Sequence, residues 1–168
     1  MSTTSQSITG SGSVATDVAA PGAAPQVDVR GPRFAAWITT TVLVVVLVAA
    51  IFSTVAAGVI LAIQAVVFAI GAAVGPRRSP YGALFAKFVA PRISPTTERE
   101  PTPPLRFAQL LGFVFAFVGV IGFAVGLPLL GLIFTGFALF AAFLNAAFGI
   151  CLGCQIYPLV ARLRPANS

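Results

Sequence analysis

Histidine is absent from this sequence, cysteine occurs only twice, and charged residues are scarce. Asp, Glu, Lys and Arg make up 8% of the 168 residues, against roughly 25% in ordinary soluble domains, and the mean hydropathy is +0.99. Without histidine, Ser-His-Asp triads and histidine-bearing zinc sites are excluded. The composition predicts a membrane protein with no cofactor or metal, and the missing general bases argue against an enzyme.

Long stretches lack charge altogether. Residues 34–75 and 107–161 contain no Asp, Glu, Lys or Arg, over 42 and 55 residues respectively. One helix of 42 residues would be about 63 Å long, twice the ~30 Å hydrocarbon core of a bilayer. Each run is therefore predicted to fold into a hairpin of two spans. The first turns at Ser53-Thr54, and the second turns at 126–131, where Pro128 suits the first turn of a helix.

The predicted fold is all-α, with four transmembrane helices arranged as two hairpins. Residues 1–32 are rich in Ser, Thr, Gly, Ala and Pro, lack aromatic residues, and are predicted to form a disordered cytoplasmic tail. The membrane domain is predicted over 33–164, with a cytoplasmic loop at 76–105 between the hairpins. The helices are expected at about 34–53, 56–75, 106–126 and 129–153.

The ten basic residues fall in three places: before the first helix, between the second and third helices, and after the fourth. Four spans bring these places to one side of the membrane, which the positive-inside rule makes cytoplasmic. We expect a multi-pass protein in the lipid bilayer of the plasma membrane, with both termini cytoplasmic. The net charge of +6 then reflects topology, and no nucleic-acid partner is predicted. The basic residues are Arg30, Arg33, Arg77, Arg78, Lys87, Arg92, Arg99, Arg106, Arg162 and Arg164.

The middle of the loop has apolar residues at helical spacing: Leu84, Phe85, Phe88 and Val89. This pattern predicts a short helix in the membrane interface, with Tyr81 near the lipid headgroups. A loop packed on the protein's own cytoplasmic face is the alternative.

The two halves of the chain have similar sequence patterns. Arg-Phe-Ala opens both hairpins, at 33–35 and 106–108, and both hairpins close on a Gly-x-x-x-Gly pattern followed by proline. This similarity suggests a parallel internal duplication. The paired glycines are predicted to let helices approach closely in lipid. The register aligns the two patterns glycine by glycine, which places Ala73 opposite Cys151. The four glycines are Gly71, Gly75, Gly149 and Gly153.

Cys151 and Cys154 share one helix face near the predicted cytoplasmic end of the fourth helix. That compartment is reducing, so no structural disulfide is expected. A helix C-terminus raises a thiol pKa, which argues against a thioredoxin-like active site. A metal site would need two further ligands, and only dimerisation could supply them. Two interpretations stay open: thiol-disulfide or sulfur-transfer exchange with a soluble partner, or small apolar residues in a packed helix.

Two amides lie inside the predicted spans, Gln64 and Asn145. Because an unpaired amide is costly in lipid, both are predicted to face the bundle interior, bonding between helices or lining a solute path. No charged residue lies within a span, which argues against ion-coupled transport.

Four stretches show a family likeness: DVRGPRFAAWITT (28–40), SPYGALF (79–85), RFAQLLG (106–112) and FLNAAFGICLGCQIY (143–157). Together they resemble an actinobacterial integral membrane family, domain of unknown function 4395, over about residues 28–164. The resemblance implies a small multi-span membrane protein and supplies no reaction or ligand. The residues that match the family's C-terminal segment are Asn145, Gly149, Cys151, Gly153 and Cys154.

Three functions remain as hypotheses. In the first, Cys151 and Cys154 exchange thiols or sulfur with a soluble thioredoxin-like protein or sulfurtransferase. In the second, the protein is a non-enzymatic membrane scaffold or subunit, as its glycine-lined helices and its lack of catalytic groups suggest, and homo-oligomers are compatible with such helices. In the third, the protein is a passive carrier of a small neutral or sulfur-containing solute, past Gln64 and Asn145.

Overall fold

The first uncharged run forms two helices, α1 (Arg30–Phe52) and α2 (Thr54–Val74), in a computed structural model that describes residues 26–94 and 98–163. Ser53 alone separates the two helices. Its backbone is extended, and its Oγ accepts a hydrogen bond from the N–H of Ala56 at 3.2 Å. One residue therefore ends α1 and caps α2, which confirms the predicted turn.

The second uncharged run forms α4 (Thr102–Ala124) and α5 (Pro128–Phe148), and Pro128 is the first residue of α5 as predicted. All four helices are long and apolar enough to cross a membrane. The predicted all-α fold with four spans is confirmed. The bounds differ, since α1 and α4 begin before residues 34 and 106, and the fourth long helix ends at Phe148 rather than at 153.

Short elements lie at the end of the bundle where α1 and α4 begin. Strands β1 (Gln26–Asp28) and β2 (Arg99–Pro101) pair antiparallel, and the start of α1 follows β1 directly. Residues 26–28 of the predicted tail therefore form β1 and residues 30–32 begin α1, and the part of that tail before residue 26 lies outside the described residues.

The predicted loop helix is present as α3 (Pro80–Leu84), followed by a π-helical turn (Phe85–Val89) and a 3-10 turn (Ala90–Arg92). Phe85 is buried against the ring of Phe34 on α1, at 5.7 Å between ring centroids. Leu84 and Phe88 stay exposed. The segment therefore packs on the protein with one face and leaves an apolar outer face, as an interfacial helix does.

The four long helices form a ring. α1 packs against α2 and α5, α4 also packs against α2 and α5, and the diagonal pairs barely touch. Leucine, valine, alanine and two phenylalanine side chains fill the centre, whereas many other large apolar side chains point outward, as expected in lipid. The buried cluster consists of Leu43, Val46, Ala57, Leu61, Ala65, Phe68, Ala116, Phe123 and Ala138.

The two halves of the chain have the same arrangement of helices in this ring. Each half consists of a 23-residue helix, a 21-residue helix and a short helix, the last being α3 in the first half and α6 (Leu152–Leu163) in the second. Each short helix packs on the first helix of its own half. The contact of Phe34 with Phe85 has its counterpart in that of Phe107 with Tyr157, at 5.9 Å.

The structure corrects the register of the predicted duplication. Gly75 ends α2 and Gly149 ends α5, both with positive φ (90° and 70°), so these two glycines correspond. Ser79 caps α3 and Cys151 occupies the same position before α6, each accepting a hydrogen bond from the N–H three residues ahead. The counterpart of Cys151 is therefore Ser79 and not Ala73, because the link after the second glycine is two residues shorter.

Arg106 closes the end of α2. Its Nε donates to the carbonyl of Ala72 at 2.8 Å and its Nη2 donates to the carbonyl of Ala73 at 2.5 Å. These carbonyls lie in the last turn of α2, where a helix has unpaired acceptors and a negative end. Arg106 thus links α4 to α2 at the basic end of the bundle.

We expect the substitution Arg106→Met to lower the free energy of unfolding by about 1 kcal/mol, because two charge-assisted bonds to the helix end are lost at an exposed site. Unfolding of the detergent-solubilised chain by increasing dodecyl sulfate, followed by circular dichroism, measures the change. The control is Arg162→Met, since Arg162 is exposed and makes no hydrogen bond within the described residues. Equal stability of the two variants would contradict this role.

Candidate thiol-disulfide site

Cys151 and Cys154 are joined in a disulfide, with their Cα atoms 5.2 Å apart. A structural disulfide was not expected from the sequence, because this end of the bundle is predicted to face the reducing cytoplasm. Among the described residues, no three His, Cys, Asp or Glu side chains come together as a metal site would require.

The disulfide lies at the start of a helix, not at the end of one. Gly149 is left-handed and ends α5: its N–H donates to the carbonyl of Asn145, and the N–H of Ile150 donates to that of Leu144. α6 then begins at Leu152, directly after Cys151. The predicted position at the C-terminal end of the fourth helix is therefore wrong.

Cys151 acts as the cap of α6. The backbone N–H of Cys154 donates to the Cys151 Sγ at 3.3 Å. The first N–H groups of a helix are otherwise unpaired and give that end a partial positive charge, which stabilises a thiolate. The sequence argument against a thioredoxin-like thiol pair assumed a helix C-terminus. Because the pair lies at the N-terminus of α6, that argument no longer applies.

An open groove of about 330 Å³ runs along one side of the disulfide. Cys151, Cys154 and Gln155 form one wall, and Glu100 of β2 lines the groove with them. Burial raises the pKa of the Glu100 carboxyl above its usual value, and the guanidinium of Arg33 opposes that shift. Arg33 also lies beside Gly149, since a Cβ placed on that glycine would be 3.8 Å from the Arg33 Cζ.

A second cavity, of about 90 Å³, lies inside the bundle. Its walls are mostly apolar, with polar side chains from Thr39, Gln109 and Asn145, and Cys151 lines one end. Cys151 therefore borders both the groove and the inner cavity, whereas Cys154 borders only the groove. We call these two spaces the outer groove and the inner cavity.

Gln64 takes no part in either space. It is 1% exposed on α2, and its Oε1 accepts a hydrogen bond from the hydroxyl of Tyr81 at 2.7 Å. Burial raises the pKa of Tyr81, which therefore keeps its donating proton at neutral pH. Tyr81 points toward the bundle rather than to lipid headgroups, so its predicted place at the headgroups is wrong.

The four glycines of the predicted packing motifs divide into two roles. Gly71 and Gly153 lie against α4, where an added Cβ would come within 3.0 Å of the Gln109 side chain and 2.6 Å of the Ala108 Cα respectively. Gly75 and Gly149 instead end helices with positive φ. Each Gly-x-x-x-Gly pattern therefore contains one glycine that packs closely against α4 and one that ends a helix.

Sequence reasoning missed two residues near this site: Glu100, which lines the groove with the disulfide, and Arg33, which lies beside Gly149. Glu100 lies in a proline-rich loop that carried no strand signal, and its pairing with β1 brings it to the outer groove. For α6, in contrast, one signal was available in the sequence. Two spans of about 20 residues use only part of the 55-residue uncharged run, which leaves enough chain for a further helix.

The family model for a domain of unknown function, DUF4395, matches residues 27–162. The chain belongs to the DUF4395 family. No curated protein and no solved structure matches it. The DUF4395 match includes both cysteines, Glu100 and Arg33, so the whole of the candidate site lies within the family domain.

Proposed function

We propose that this DUF4395 protein performs thiol-disulfide exchange at the cytoplasmic face of the plasma membrane, with a soluble partner that has a reactive thiol or persulfide. A thioredoxin-like protein or a sulfurtransferase is a partner of this kind. The observation that supports the proposal is the Cys151–Cys154 disulfide at the N-terminus of α6, beside the outer groove.

The electrostatics favour exchange. The N-terminus of α6 and the N–H of Cys154 stabilise a negative charge on the Cys151 sulfur, which makes Cys151 the first nucleophile toward a partner disulfide. The outer groove gives an incoming sulfur access to both cysteines.

A purely structural disulfide explains the arrangement less well. A bridge across a sequence separation of three closes a very short loop, and it removes little entropy from the unfolded chain. With four spans, the positive-inside rule assigns the basic end of the bundle, and with it this disulfide and both termini, to the reducing cytoplasm. A disulfide there is expected to be transient and to turn over.

The exchange balances in atoms and electrons. A partner thiolate attacks one sulfur of the disulfide, forms a mixed disulfide with it, and releases the other sulfur as a thiolate that takes up a proton. A second partner thiol then displaces the protein, leaving both cysteines reduced and the partner oxidised by two electrons. The reverse sequence reoxidises the pair.

The test uses the full chain in sealed membrane vesicles and a membrane-impermeant maleimide of high mass. After treatment with dithiothreitol, we expect two labels per chain in inverted vesicles and none in right-side-out vesicles, read as gel shifts. Without reduction, neither orientation should be labelled. Cysteines that stay unlabelled in reduced, inverted vesicles would rule out the proposal.

Single variants separate the two cysteines. In Cys154→Ser, the remaining Cys151 should form a stable mixed disulfide with glutathione disulfide, about tenfold faster than Cys154 does in Cys151→Ser, because only Cys151 receives the helix N–H. Equal rates would show that the helix end does not activate the site. If both variants leave the protein's phenotype and complexes unchanged, the scaffold or subunit hypothesis is favoured instead.

Passive movement of a small neutral solute is the second candidate function, and the inner cavity favours it. Its lining lacks charge and offers the amides of Gln109 and Asn145 as hydrogen-bonding groups. Asn145→Leu should then slow glycerol or urea flux into proteoliposomes and leave maleimide labelling unchanged. Flux that equals that of protein-free liposomes would remove this candidate.

A further inference from the structure

We infer that Glu100 is the proton-transfer group of this site and takes the proton of the Cys154 thiol when that thiol closes the disulfide. The inference rests on the proposed exchange function and adds a residue to it. It starts from a difference between the two sulfurs: Cys151 has a backbone N–H directed at it, whereas no backbone N–H of residues 26–94 or 98–163 is directed at the Cys154 sulfur.

Glu100 is held where it can serve Cys154. It is the central residue of β2, opposite Val27 of β1, and Val27 is buried. Side chains alternate along a strand, so Arg99 lies on the other face of the ribbon with its cross-strand partner Asp28. Glu100 is half-buried and lines the outer groove together with Cys154.

The charges around Glu100 suit a carboxyl that must both take up and release a proton. Desolvation raises its pKa above the usual value, while the charge of Arg33 on α1 favours the ionised form. Asp28 and Arg99 are cross-strand neighbours on the opposite face of the ribbon, and Glu98 lies two residues before Glu100.

The step follows from a mixed disulfide between Cys151 and a partner. The Cys154 thiol gives its proton to the Glu100 carboxylate, and its sulfur attacks the Cys151 Sγ. The new Cys151–Cys154 bond forms as the bond from Cys151 to the partner sulfur breaks. The partner leaves with the electron pair and receives the proton from the Glu100 carboxylic acid.

The test measures ring closure in the full-length reduced protein in lipid nanodiscs. Dithiobis(nitrobenzoate) reacts with Cys151 and releases one coloured nitrothiobenzoate, and closure by Cys154 releases a second. Stopped-flow absorbance gives the rate of the second release between about pH 4 and pH 9, which includes the usual range of a carboxyl group. In the wild type this rate should rise with pH through the Glu100 pKa, because only the carboxylate can accept the proton, and rise again as the thiol itself ionises.

In Glu100→Gln, the lower inflection should disappear and the rate at about pH 6 should fall about a hundredfold, with recovery at about pH 9, where the thiolate forms without a base. Glu100→Asp should retain the lower inflection. Glu98→Gln is the matched control, because Glu98 does not line the outer groove, and it should behave as the wild type.

The outcomes separate this inference from the function on which it rests. A Glu100→Gln profile that superimposes on the wild-type profile overturns the role of Glu100 while the exchange itself stands. Absence of the second release from the wild type at every pH overturns the exchange function. A uniform slowing of Glu100→Gln at all pH values indicates a structural role only and also overturns the inference.

Discussion

The substitution Gly82→Ala should disrupt the segment that contains α3 and lower the free energy of unfolding by about 3 kcal/mol, the upper end of the usual cost of overpacking. A Cβ on Gly82 would lie 1.8 Å from the carbonyl oxygen of Pro76 and 2.9 Å from its carbonyl carbon. Both are backbone atoms, so no side-chain rotation can relieve the overlap. The turn from Pro76 through Ser79 must open, with loss of the bond between the Ser79 hydroxyl and the Pro76 carbonyl.

Hydrogen exchange of the full chain in detergent, read by mass spectrometry, should show faster exchange over residues 76–92 in Gly82→Ala. Gly136→Ala is the matched control, since a Cβ at Gly136 meets nothing within 4 Å, and it should leave exchange and stability unchanged. A Gly82→Ala protein as stable as Gly136→Ala would show that this turn is not packed as described.

The close approach of Gly82 to the Pro76 carbonyl also explains why only the second half contains a thiol pair. Gly82 corresponds to Cys154 in the duplication, and each donates its backbone N–H to the residue that caps its short helix. The first half cannot place a side chain at this position, because the Pro76 carbonyl occupies the space. Cys154→Ala adds no atom at its own position, so in the reduced protein it should cost far less stability than Gly82→Ala.

The substitution Gly153→Ala should detach α6 from α4. The added Cβ would lie 2.6 Å from both the Cα and the Cβ of Ala108, and the Cα cannot move without α4 itself. Overpacking of this kind costs about 1–3 kcal/mol, which corresponds to an increase in the opening of α6 of about tenfold to a hundredfold. The ring contact of Phe107 with Tyr157 should be lost with it.

Hydrogen exchange over Leu152–Leu163 measures this opening, and protection of α1 and α2 should stay as in the wild type. Closure of the disulfide should also slow, because the outer groove is formed between α6 and the start of α4. Gly31→Ala is a suitable control, since its Cβ would meet only the Phe85 ring at an ordinary 3.5 Å. Unchanged exchange of α6 in Gly153→Ala would disprove the close contact.

The spans could be predicted from the sequence because lipid imposes strict rules on length and charge. A helix must have about 20 apolar residues to cross the bilayer, and basic residues collect on one side. Ser53 and Pro128 also act through local chemistry, as a cap and as a first-turn residue, and both positions were predictable.

The end of α5 was not predictable from the same rules. Ile150, Cys151 and Leu152 are as apolar as a span, so neither hydropathy nor charge distinguishes a continuing helix from a new one. Gly149 was assigned to helix packing, although glycine is also the residue that most often ends a helix in the left-handed conformation. Choosing between these uses depends on what lies beside the glycine, which is a tertiary property.

By itself, the sequence determined a four-span helical membrane domain with its basic residues at one end and two halves of similar pattern, because hydropathy and charge act locally and add along the chain. Only the tertiary structure decided that Cys151 caps a separate helix, that Glu100 lines one groove with the disulfide, and that Arg33 lies near Glu100 and Gly149. Those positions depend on how α6 and the β1–β2 ribbon pack against the bundle, which no local pattern encodes.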